Sequence, residues 1–161
     1  MKRTNRLLAL ILLMALFALI LTSCGTENVA AHGTATVVIE ERDGSFTTYG
    51  VDLSLLENRS EGALSLLEYL ASIEGSTLYY NAQWGGGYGA FLTSIGKLTP
   101  EGKEFISVYT SEEGDFATPT EWAPVVPSVV YEGRTLCSSG FGISSMTVKD
   151  GTVILFRIDT Y

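Results

Sequence analysis

Histidine is nearly missing from this chain: there is one, His32, in 161 residues. That scarcity removes the common routes to catalysis. A Ser-His-Asp or Cys-His set would have to use His32 or go without its base. General acid–base work otherwise needs paired carboxylates in a pocket, and the acids here fall on predicted turns and a helix surface. Glu112 and Glu113 are adjacent, but neighbouring loop acids are ordinarily just solvated. No CxxC or HExxH spacing occurs, and no calcium-loop pattern. The sequence therefore predicts no enzyme and no metal site. Basic residues are also few, ten Lys/Arg against 18 Asp/Glu, for a net charge of −8. An acidic chain is a poor partner for nucleic acid, whose phosphates need Lys/Arg, and for a polybasic membrane contact. There are two cysteines, Cys24 and Cys137, and no internal repeat or low-complexity block.

Apolar residues are concentrated at the start. Lys2, Arg3 and Arg6 precede an almost unbroken run, Leu7–Leu21, then Thr22-Ser23-Cys24. Charge, apolar core and small residues in that order make a secretory signal. The run is short of the about 20 residues that span a bilayer comfortably. LTSC resembles a bacterial lipobox, which implies cleavage before Cys24, lipid on its sulfur, and an extracytoplasmic location at a bacterial membrane. The expected division is 1–23 signal peptide, 24–33 lipid-anchored flexible tether, and 34–161 a single domain. Losing three of the ten basic residues with the signal leaves seven against 18 acidic ones, a charge of about −11. With Cys24 lipidated, Cys137 has no disulfide partner and is expected as a small buried hydrophobe. His32 falls in the tether and reads as inert.

The domain opens with Thr34–Glu41, Asp43-Gly44 and Phe46–Leu53, two strand-like runs around a strong hairpin turn. Ser60 is the expected N-cap of a helix over Glu61–Glu74. Ala63, Leu64, Leu66, Leu67, Leu70, Ala71 and Ile73 recur at helical spacing, and Gly75 is the expected stop. Strands are expected at Thr77–Gln83, Phe91–Ile95, Glu104–Thr110, Val129–Tyr131 and Arg134–Cys137. Met146–Lys149 and Thr152–Asp159 flank Asp150-Gly151 as a closing hairpin, and VILFRI is apolar enough to lie centrally in the sheet. Ser111–Ser128, with three prolines, four acids, Phe116 and Trp122, reads as a long surface loop. The fold class is α+β: a mostly antiparallel sheet with one main helix packed on it.

The most distinctive stretch is Tyr79–Leu98, YYNAQWGGGYGAFLTSIGKL. Aromatics flank a triple glycine that no Lys-Ser/Thr follows, so it is not a phosphate loop. Glycine allows positive φ and close backbone approach, and a flat ligand wants aromatics, bare backbone and a few polar groups. Tyr80, Trp84, Gly85, Gly86, Gly87, Tyr88 and Phe91 supply these, and Ser139 and Phe141 of a second glycine/serine loop could form a second wall. The competing reading is that the same aromatics pack the sheet onto the helix.

Tyr88-Gly89, Thr93-Ser94-Ile95-Gly96, the leucine-rich helix before them and Asp150-Gly151 near the end together resemble the C-terminal β-domain of transcobalamin and intrinsic factor. The likeness extends roughly from Thr34 to Arg157. It implies a β-grasp-like fold and a surface that covers one face of cobalamin. In this chain the family's asparagine before the glycine is absent, Thr152 replaces the second aspartate of its DGD turn, and Glu104-Phe105-Ile106 stands where an aromatic pair is common. The α-barrel that covers cobalamin's other face is absent. The resemblance thus implies a non-catalytic lipoprotein that binds a small ligand, with a corrinoid the best single candidate. A protein-interaction or adhesion module, using the long acidic loop and Trp122, is the alternative.

Overall fold

The Asp43-Gly44 turn does what its residues predict. Gly44 takes φ +82°, Asp43 Oδ1 accepts from the Ser45 amide and hydroxyl, and β1 (Thr34–Glu40) pairs antiparallel with β2 (Phe46–Asp52). The computed structural model describes residues 27–161. The expected signal peptide and Cys24 lie outside the described residues. No helix among the described residues is long and apolar enough to cross a membrane.

After β2 the chain makes a 3-10 turn and enters helix α1 (Gly62–Ser72), whose Ala63, Leu64, Leu66, Leu67 and Leu70 are buried. The helix is capped differently from expectation. Glu61 holds the N-cap position without a side-chain bond, while the Ser60 hydroxyl donates to Asn58 Oδ1. Ser60 thus closes an Asx-type turn ahead of the helix. Next come β3 (Tyr80–Trp84) and β4 (Ala90–Ile95), a separate two-stranded hairpin, then β5 (Glu104–Thr110), β6 (Ser128–Tyr131), β7 (Arg134–Ser138) and β8 (Val153–Thr160).

Six strands form one sheet in the order β2-β1-β8-β5-β7-β6. It is antiparallel except where β8 lies parallel to β1. β8 is central, as its apolar run predicts. Ile154 and Phe156 face the main core with α1 and the β3–β4 hairpin. Val153 and Leu155 face a second, smaller core with Val38, Tyr109, Tyr131 and Leu136. Alternate residues of one strand thus serve two cores, because the sheet curls until its outer strands meet. The class is α+β, mostly antiparallel with one main helix.

The closing hairpin is a correction. Met146–Lys149 is not a strand. A parallel central β8 leaves it no neighbouring edge, because β1 and β5 already flank β8. Val148 instead makes a parallel bridge with Val29. That bridge also shortens the expected tether. Val29 is 1% exposed, and its neighbours are tied by Ala30 N–H to Val148 O and Val148 N–H to Asn28 O. Packing therefore starts at Asn28, inside the segment expected to be flexible. Cys137 is free and only half-buried on β7, so it is not a fully buried hydrophobe.

The long loop departs from expectation too. Glu112 is buried, bonded by the Thr152 hydroxyl at 2.6 Å and by Lys149 Nζ at 2.6 Å. Asp115 is buried as well and accepts from the Thr147 amide and hydroxyl. Phe116, expected to be exposed, is half-buried and bridges to Ser139. The loop's first third is pinned to the sheet by these acids. Trp122, at 91% exposed, is as free as expected.

Candidate functional site: the glycine–aromatic hairpin tip

Strands β3 and β4 pair from Tyr80↔Ile95 to Trp84↔Ala90, with a register shift between Asn81 and Ala82. The irregularity sits opposite Thr93, well down the hairpin from the glycines. Ala90, Leu92 and Ile95 are buried and attach the hairpin to the main core. A 3-10 turn, Gly86–Tyr88, closes the tip, with Gly85 N–H bonded to Gly89 O.

The expected site residues separate into two groups. Tyr80 packs against the core, and burial first, then the Glu68 and Glu61 charges, raise its hydroxyl pKa. For Tyr80 the packing reading is correct. Trp84 and Tyr88 are each 65% exposed, Phe91 47% and Phe141 45%, too open to be holding sheet to helix. Gln83 opposes Phe91 and Ala90 opposes Trp84, so Trp84 and Phe91 stand on opposite faces of the hairpin. They do not make one stacked wall. The Ser139 hydroxyl is spent locally, accepting from Phe141 N–H and donating to Phe141 O.

The two loops do meet. Gly142 N–H donates to Tyr88 O at 2.7 Å, and the Ser144 hydroxyl accepts from Ala90 N–H at 2.9 Å. A Cβ on Gly142 would lie 2.7 Å from Ala90 O, and one on Gly89, at φ +93°, would lie 2.5 Å from Ser144 Oγ. Gly89, Gly142 and Ser144 therefore dock the second loop onto the tip. Sequence reasoning missed this joint. The isolated glycines were the available signal, but nothing local marks two glycines more than fifty residues apart as partners.

The triple glycine is different. A Cβ on Gly87 would meet nothing within 4 Å, and one on Gly85 only the Phe91 ring at 3.7 Å. Gly85 is extended at φ −143°. Neither packing nor backbone angle requires glycine at Gly85, so its bare backbone, like that of Gly87, has space for contact from outside. The clefts beside helix α1, beside Arg42 and Glu104, and beside Lys149 and Arg134 take in none of Trp84, Tyr88, Phe91 or Phe141. Among the described residues no three His, Cys, Asp or Glu side chains converge as metal ligands.

No family model matches the chain, and no curated protein matches it. Among solved structures, a Ruminococcus gnavus ATCC 29149 protein provisionally described as metal-binding shares 12% identity at a TM-score of 0.49. The match covers 80% of this chain and 98% of that one. What the site can do is therefore argued from its own residues.

Proposed function

We propose that this is a non-catalytic binding protein, held outside a bacterial cytoplasmic membrane by lipid on Cys24, with the β3–β4 tip as its binding surface. One observation carries the reading: between Trp84 and Tyr88, each 65% exposed, a side chain at Gly87 would meet open space and one at Gly85 would touch only the Phe91 ring. Exposed aromatics beside bare backbone suit a ligand with a large flat face, through stacking and backbone hydrogen bonds. A corrinoid is such a ligand, and it is the one the transcobalamin resemblance implies. The order hairpin, helix, then a last strand parallel to the first supports the β-grasp side of that resemblance. With Trp84 and Tyr88 open to solvent, the domain would cover one face of the ligand and leave the other to a partner.

The test is titration of the protein with cobalamin and cobinamide, read by Trp84 fluorescence in a Trp122→Phe background. Saturable quenching, together with loss of the binding heat by calorimetry in Trp84→Ala, supports the reading. A flat titration to roughly millimolar ligand, about the weak end of specific affinities, removes the corrinoid.

The second reading is a protein-interaction module. Its specific support is that four aromatics at the tip and Trp122 stand open to solvent. Cross-linking on intact cells from positions beside Trp84 or Trp122 would trap a protein partner. Persistent absence of any adduct would count against it.

A further inference from the structure

A cleft of about 410 Å³ opens between the segment leaving β2 and helix α1. Small-molecule sites occupy about 300–1,000 Å³, so it is large enough to take a small organic ligand. Ser65, Glu68, Tyr69 and Ser72 all line it. They stand at i, i+3, i+4 and i+7, one stripe of the helix. Leu55, Leu56 and Asn58 face them from the incoming segment.

Ser65 is the anomaly. It is 2% exposed, and its Oγ has no hydrogen-bond partner in the protein. A buried hydroxyl left unpaired is destabilising, and alanine would satisfy the helix better. Glu68 is three residues on. Its carboxyl is pushed up from the ordinary range by burial first and then by the Glu61 charge. Its one hydrogen bond comes from Asn58 Nδ2, at 3.5 Å. Glu57 also lines the cleft, and no lysine or arginine does. The lining thus offers two carboxylates and an unpaired hydroxyl without a cation to meet them.

We propose that this cleft binds a small alkylammonium compound, its amine donating to Glu68 and Ser65 and its chain lying on Leu55, Leu56 and Tyr69. An ammonium group carries three donors and no acceptor, matching a carboxylate and a buried, unpaired hydroxyl. An anionic ligand would meet like charge at Glu57 and Glu68. The proposal does not depend on what the hairpin tip binds.

The experiment is a backbone-amide NMR titration of the protein with n-butylamine, putrescine and 1-butanol at neutral pH. Saturable shifts centred on Ser65, Glu68 and Tyr69 are expected with both amines and not with the alcohol. Glu68→Gln and Ser65→Ala should each weaken amine binding about tenfold, the worth of a charge-assisted hydrogen bond. Both variants should stay folded, because Glu68 is exposed and Ser65→Ala removes an unpaired group. Tighter binding of putrescine would add Glu57 as a second anchor, and equal affinity would leave a single-headed site. Absence of saturable shifts up to roughly 10 mM amine, equal response to 1-butanol, or unchanged affinity in both variants would overturn the proposal.

Discussion

The Tyr131 and Thr48 hydroxyls hydrogen-bond at 2.9 Å between the two outermost strands of the six-stranded sheet. The Tyr131 ring also meets Phe46 edge-on, with centroids 5.3 Å apart. β2 and β6 are thus joined by side chains where no backbone ladder joins them. The curl covers Val38 and Leu155 on the sheet's second face, and both are fully buried. Tyr131→Phe keeps the ring and removes the hydroxyl, so a loss of about 1 kcal/mol is expected. Tyr131→Ala should lose about 3 kcal/mol or more by opening the smaller core. Urea unfolding measures both, and equal losses would mean that the ring contributes nothing to the closure.

Glycines at the tip should divide by role. Gly142→Ala puts a Cβ against the Tyr88 and Ala90 carbonyls, and the backbone must give. A loss of about 2 kcal/mol is expected, within the range for overpacking. Gly87→Ala meets open space and should stay within about 0.5 kcal/mol of the parent. Thermal melts of the pair decide the matter, and similar melting points would remove the docked-loop account.

Val29 should count as core. Replacing it with alanine should lose about 2 kcal/mol, in line with its full burial against the Val148 segment. Removing residues up to Ala30 should destabilise at least as much. A truncated protein with unchanged denaturant midpoint would return these residues to the tether.

Acid stability should depend on Arg42. Its guanidinium forks onto both Glu104 oxygens, at 2.9 and 2.6 Å. Glu104 also accepts from Glu101 N–H. These bonds, Arg42's first, hold its carboxyl down to about 2 from an ordinary 4.5. A depressed carboxylate stabilises the fold above its unfolded value and loses that contribution as pH falls through the folded one. The Glu104 contribution is therefore complete above pH 4.5 and fades toward pH 2. Asp115 has the opposite sign: burial raises its carboxyl above 3.8, so its contribution is lost as pH rises through that raised value. In Arg42→Ala, Glu104 should titrate higher than in the parent by carboxyl NMR, with the Glu101 N–H still holding it below 4.5. A parent Glu104 that already titrates as high as the variant's would contradict the fork.

The local elements were readable because local chemistry sets them. Asp43-Gly44 fixes the first hairpin, the leucine spacing fixes α1, and the apolar density of VILFRI fixes β8 at the centre. The exposure of Trp122 also followed from its setting among prolines and acids. The acidic charge is likewise a property of the sequence, independent of how the domain packs. Tertiary structure alone decided the rest. β8 running parallel beside β1 removed the closing hairpin and freed Val148 to capture Val29. Curling of the sheet made Tyr131 a closure residue. Glu112 became buried because Lys149 and Thr152, remote in sequence, arrive to satisfy it. Gly142 matters because the Tyr88–Ala90 backbone lies where its side chain would be. Each of these depends on which distant segments meet, and a chain's local propensities carry no information about the distance between residues that only the completed sheet brings together.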